Sequence, residues 1–187
     1  MSDYKQQAEG WHPSDPHLFT YSGERVYLFR PTAAMIHLAD IAQALSQICR
    51  YGGHTRSHYS VAEHSVLVSE KFKGEMAFAA LLHDAAEAYL GDVISPLKAL
   101  LLDYEKIYDK FDDAIAEKFG VDYRLGWYED IKKADAQVGI MERNCRLISL
   151  RPSVHSYLCP IRMLSAVEAK NDFLLRFASL TGNASRY

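Results

Sequence analysis

The stretch Leu81-Leu82-His83-Asp84-Ala85-Ala86-Glu87-Ala88-Tyr89-Leu90-Gly91-Asp92 loads one imidazole and three carboxylates onto the end of an apolar run. A fold that buries this run must compensate those charges, because an unpaired buried charge is expensive. Read as a helix over 76–90, the run places Ala79, Leu82, His83, Ala86, Tyr89 and Leu90 at the i, i+3, i+4, i+7 spacing of a buried stripe, with His83 inside it. Asp84 and Glu87, three apart, are neighbours on the adjoining face. One helix edge thus presents an imidazole and two carboxylates, a pattern that suits metal or acid/base chemistry and equally suits satisfied polar groups at a helix end.

The rest of the chain is also patterned for helices. Ser22-Gly23 lies between β-type residues in 19–29 and reads as a short hairpin. Leu38, Ile41, Ala42, Leu45, Ile48 and Cys49 then give a helical stripe over 36–50, stopped by Gly52-Gly53. The segment 50–59 is a loop rich in cations. Ser60 and Glu63 have the spacing of a capping box, so a helix begins there with Val61, His64, Ser65, Val68 and Phe72 on one face and His64 pointing inward. Gly74 separates that helix from the central one, which Gly91 and Pro96 close. A long helix follows Asp103, with Tyr104, Ile107, Tyr108, Phe111 and Ile115 inward and Gly120 as its stop. After an aromatic loop over 121–128, a helix over 129–149 buries Ile131, Ala134, Val138, Met141, Cys145 and Ile148 and leaves Asp135 beside that stripe. An irregular connection over 151–160 precedes a second capping box, Ser165 with Glu168. The last helix uses Phe173, Leu174, Phe177 and Leu180 and ends at Gly182.

The fold class expected is therefore all-α, a compact helical bundle with a short N-terminal hairpin, in one domain over 1–187. Its parts are an arm and hairpin over 1–35, a core over 36–136 and C-terminal helices over 137–187. A length of 187 residues, 49% hydrophobic, suffices for a sizeable core. The net charge of −3 argues against a nucleic-acid or membrane surface, which needs a basic stripe. Cys49, Cys145 and Cys159 are odd in number and widely spaced, so no disulfide is expected and the compartment reads as reducing. With no apolar signal region and no run near the ~18 residues of a membrane span, a cytoplasmic location is expected.

Three helices thus supply inward polar groups: His64, then His83 with Asp84 and Glu87, then Asp135. One cation would satisfy most of them. Two imidazoles and two carboxylates form a nitrogen/oxygen donor set suited to Mn²⁺, Fe²⁺, Co²⁺, Ni²⁺ or Zn²⁺, with positions open to water and substrate.

This ordered set resembles the HD-domain metal-dependent phosphohydrolases, whose signature is an isolated His, a His-Asp pair and a distant Asp. The matching segments are Val61-Ala62-Glu63-His64, His83-Asp84 and Lys132-Lys133-Ala134-Asp135. The similarity is greatest to the 5′-deoxynucleotidase branch, through Arg50-Tyr51, the HDxxE pattern His83 to Glu87, Gly91-Asp92 and Ser95-Pro96-Leu97-Lys98, and it covers roughly 36–136. The resemblance implies an HD-domain helical bundle with one divalent transition metal held by His64, His83, Asp84 and Asp135. It also implies Arg50 as a phosphate contact, Glu87 as the acid/base residue and Asp92 as a group for water or a sugar hydroxyl. Tyr51 stands where that branch carries tryptophan, which bears on sugar and base preference.

Outside the signature, His54 and Arg56 suit either additional phosphates or simple solvation, whereas His58 reads as solvated. Lys98 suits phosphate charge or an exposed helix surface. Tyr123, Trp127 and Tyr128 suit base stacking or the covering of a core. The expected activity is hydrolysis of a nucleotide, foremost a 2′-deoxynucleoside 5′-monophosphate to nucleoside and phosphate. A deoxynucleoside triphosphate triphosphohydrolase is the nearest alternative, and a non-catalytic nucleotide-binding module comes next. The partner expected is a small-molecule nucleotide, and the apolar surface of so small a helical fold is compatible with a homo-oligomer.

Overall fold

The computed structural model describes residues 15–123, 126, 128–145 and 161–182. The expectations for 1–14, Trp127, Ile148 and 151–160 fall outside these residues. Strands β1 (His17–Phe19) and β2 (Arg25–Tyr27) pair antiparallel, with Leu18 opposite Val26. Their turn contains Ser22-Gly23 as expected, and Gly23 takes a φ of 85° that disfavours a side chain. Asp40, 2% exposed, accepts from Ser22 N and Oγ at 2.7 and 2.8 Å and ties the hairpin to the helical body.

The helices are α1 (Leu38–Gln47), α2 (Val61–Ser69), α3 (Gly74–Leu82), α4 (Glu87–Leu90), α5 (Ser95–Lys98), α6 (Tyr104–Phe119), α7 (Tyr128–Asn144) and α8 (Ala166–Thr181). Helix α2 lies at the centre, against α1, α3, α7 and α8. Every one of its residues is buried, rather than the single face that periodicity indicated. A helix wrapped on all sides has no solvent face for its polar residues, so each needs a partner from another element. Helix α8 closes one side of the core with Phe173 and Phe177, each worth about 1.5–3 kcal/mol of transfer energy. Arg176 of α8 donates from Nε to Ser69 Oγ and from its terminal amino group to Ser69 O, at 2.8 and 2.9 Å, which satisfies the end of α2.

Several local expectations are corrected. The first helix stops at Gln47, and a backbone bridge between Cys49 and Ser60 brackets a 3-10 turn at Arg50–Gly53. The helix expected over 76–90 is broken at 83–86 into α3 and α4. The cause is local: His83 Nδ1 donates to the Ala80 carbonyl at 2.8 Å, and the chain continues in i to i+3 turns. Ser60 caps α2 as expected, accepting from Glu63 N, but the Glu63 carboxylate does not complete a capping box. It accepts instead from the backbone N–H groups of Arg162, Met163 and Leu164 at 2.7, 3.1 and 3.0 Å. The Ser165/Glu168 box forms in full. Cys145 is disulfide-bonded, against expectation, while Cys49 is free. Separation along the chain does not decide which thiols a fold brings within bonding reach. Among the described residues, no helix is long and apolar enough to cross a membrane.

Candidate metal centre

His64 comes from the second turn of α2, and His83 with Asp84 from the turns that interrupt the α3–α4 run. Breaking that run turns the two imidazoles toward each other, with ring centroids 5.4 Å apart. A carbonyl can only accept, so the Ala80 contact makes Nδ1 of His83 the donor and leaves Nε2 facing the centre. His64 Nδ1 likewise points at the Glu142 carboxylate, 2.6 Å away. Both Nε2 atoms are buried and face carboxylate oxygens. Asp84 Oδ2 lies 3.1 Å from His83 Nε2 and 3.6 Å from His64 Nε2. One donor atom from each of His64, His83 and Asp84 lies within 4.8 Å of the others, so this group can hold a metal ion. Two buried ring nitrogens facing a carboxylate oxygen match the nitrogen/oxygen chemistry of a divalent transition metal. Asp135 of α7 approaches from the solvent side, its side chain 41% exposed and Oδ1 3.0 Å from His64 Nε2.

Electrostatics reinforce the arrangement. Burial alone would depress the His83 pKa, but the Asp84 charge and hydrogen bond outweigh it and raise it to about 9. A cation must therefore displace a proton there, which makes its binding pH-dependent. Asp84 is held far below the usual carboxylate range by His83, His64 and Arg50 despite its burial. Glu87 goes the other way: burial and the Asp84 charge push it up to about 8, with Lys98 opposing. Its Oε1 accepts from Lys98 Nζ at 2.8 Å, and its Oε2 is buried without a partner.

Two cavities meet at Asp84, Lys98 and Asp135. The larger, about 440 Å³, is also lined by Arg50, Tyr51, Glu87, Asp92 and Arg143. The second, about 310 Å³, is walled by Tyr104, Tyr108 and Tyr128 and reaches His83 and Asp112. The fold thus brings together Arg50, Tyr51, Asp84, Glu87, Asp92, Lys98 and Asp135 from the candidates named above. His54 and Arg56 are exposed and line neither cavity. His58 is half-buried rather than solvated, with Nδ1 3.1 Å from the Leu164 carbonyl. Tyr123 covers the core side, its hydroxyl donating to Leu82 O at 3.1 Å.

No protein-family model matches the chain. It is similar to the uncharacterized protein YfdR of Escherichia coli K12, with 47% identity over 102 residues, 54% of this chain and 57% of that protein. An uncharacterized protein of Rhodobacter capsulatus is 43% identical over 110 residues, 54% of this chain and 56% of its own length. The chain spans little more than half the length of these curated relatives.

Glu142 and Arg143 of α7 are site residues that sequence reasoning missed. Arg143 lines the larger cavity. Glu142 has no exposure and receives hydrogen bonds from Arg50, Tyr51, Tyr59 and His64. Burial would raise its pKa, but the His64 contact and the Arg50 charge pull it down to about 2. A signal was present, since Glu142 follows Asp135 by seven residues and Val138 by four on one helical face.

Proposed function

We propose that the protein is a divalent-metal-dependent phosphohydrolase of the HD-domain type, acting on 2′-deoxynucleoside 5′-monophosphates. The observation that carries this reading is the convergence of two buried imidazole nitrogens and the Asp84 carboxylate beside the Arg50–Glu87–Lys98 cleft. His64, His83 and Asp84 would hold the cation, with Asp135 as a fourth ligand from the solvent side. A divalent ion there supplies Lewis-acid polarisation of a phosphoryl oxygen and a more acidic water.

The chain's own groups then have separate tasks. Arg50 offers a guanidinium to two phosphate oxygens, and Lys98 and Arg143 add positive charge along the same wall. A water oxygen attacks phosphorus, the bond to the 5′-oxygen breaks, and that oxygen needs a proton to leave as the nucleoside hydroxyl. Glu87, whose carboxyl burial pushes above the usual range, is placed to hold such a proton and donate it. Asp92 lies at the cleft edge, where it suits a sugar hydroxyl or the incoming water. The Tyr104, Tyr108 and Tyr128 rings of the second cavity offer stacking faces to the base. Hydrolysis of a triphosphate would use a longer cationic track, and the residues that suggested one, His54 and Arg56, lie outside the cleft.

The test is a panel of deoxy- and ribonucleoside mono-, di- and triphosphates with Mn²⁺ or Co²⁺, with products separated by chromatography. Nucleoside and phosphate from deoxynucleoside monophosphates are expected, and Glu87→Gln should lower kcat by about 10²–10⁴-fold. Release of triphosphate would replace this reading with the triphosphohydrolase. Tight nucleotide binding without turnover would make the protein a binding module.

A further inference from the structure

We infer that Glu142 is a positioning residue that sets the coordinating face of His64 and the orientation of Arg50 with one buried carboxylate. Its two oxygens are divided between the two functions. Oε1 accepts from His64 Nδ1 and from the Tyr59 hydroxyl, both at 2.6 Å. Oε2 accepts from Arg50 Nε at 3.3 Å, from an Arg50 terminal amino group at 3.2 Å and from the Tyr51 hydroxyl. The same guanidinium has its other amino group 3.8 Å from Asp84 Oδ2. Glu142 therefore sits behind both the imidazole whose Nε2 faces the candidate metal centre and the arginine that lines the cleft, and it lines neither cavity itself.

A histidine that donates through Nδ1 must coordinate through Nε2, so this carboxylate selects the tautomer and fixes the ring plane. Backbone geometry points to the same role. Tyr51 has a φ of 58° and a ψ of 29°, a left-handed conformation unfavourable for a tyrosine, in the turn that carries Arg50. The Tyr51 hydroxyl bond to Glu142, with a longer one of 3.4 Å to Gly139 O, anchors that turn on α7. A glutamine cannot take over both tasks, because a carboxamide has one accepting end and would set its amino group against one pair of donors.

The inference rests on the metal-centre reading above, and its test uses Co²⁺ alone, without nucleotide. Titration calorimetry on the full chain should show Co²⁺ binding weakened about 10–100-fold in Glu142→Gln. Glu63→Gln is the comparison. It alters another fully buried carboxylate, whose oxygens bond the backbone N–H groups of Arg162, Met163 and Leu164 rather than His64 or Arg50, so it lowers stability while leaving the Co²⁺ dissociation constant within about threefold. Equal affinity in wild type and Glu142→Gln, or equal weakening in both variants, would overturn the inference. Absence of Co²⁺ binding by the wild-type chain would overturn the metal reading and this inference with it. A measurement independent of variant folding is ¹⁵N NMR of the Zn²⁺-loaded wild-type chain. Protonated Nδ1 and metallated Nε2 at His64 are expected, and metallation at Nδ1 would overturn the assignment.

Discussion

Asp112 of α6 is a carboxyl group at which the fold works against ionisation. Burial, then the charges of Asp84 and Asp109, raise it to about 8, and its Oδ1 has no hydrogen-bond partner. A carboxyl raised in the folded state binds a proton that the unfolded chain has released, so its contribution is fully present below the ordinary pKa and is lost as pH climbs to about 8. Asparagine stays neutral throughout. In EDTA, Asp112→Asn should match wild type near pH ~4 and exceed it by about 2 kcal/mol near pH ~9, or roughly 4–8 °C in melting temperature. Parallel melting curves across that range would contradict the assignment. Asp112 was not legible in the sequence. It falls one residue from Phe111 on an amphipathic helix, where a carboxylate ordinarily faces water, and its neighbours at the centre come from elements far along the chain.

At the scale of elements, the helix starts and stops set by local chemistry were readable. Ser60 and Ser165 cap helices, and Gly120 and Gly182 end helices in the left-handed conformation. Those signals depend on groups within four residues of one another, which a sequence displays directly. The Glu63 side chain departs from the capping-box pattern because the same residue type at the N3 position has a competing use. A fully buried carboxylate gains more from the three N–H groups at 162–164 than from one N–H at its own cap. Glu63→Gln should cost about 2–3 kcal/mol, seen as a lower urea midpoint, since its amino group would face a backbone donor. An unchanged midpoint would show that residues 162–164 are held by other contacts. The break at His83 follows the same logic: a side chain took a backbone acceptor and interrupted a helix that hydrophobic periodicity alone reads as continuous.

Across the whole molecule, the centre links turns and helices remote in sequence, with Arg50 and Glu142 separated by 92 positions. Any ion that binds this arrangement and not the unfolded chain stabilises the fold by mass action. At a hundred times its dissociation constant, Co²⁺ should add about 2.7 kcal/mol, or roughly 5–10 °C in melting temperature. Asp84→Ala should abolish the gain. A shift that survives in that variant would place the ion elsewhere.

By itself the sequence determined the helical class, the hairpin, the caps and the inward direction of His64, because each follows from period and nearest-neighbour chemistry. It also marked His83, Asp84, Glu87 and Asp135 as a set requiring compensation. Tertiary structure alone decided which groups supply that compensation. Only packing α7 against α2 brings Glu142 to His64, and only the turn at Arg50–Gly53 brings Arg50 to the same carboxylate. Hydrogen bonds between remote elements are set by how buried faces meet in space, and no short window of sequence contains both partners.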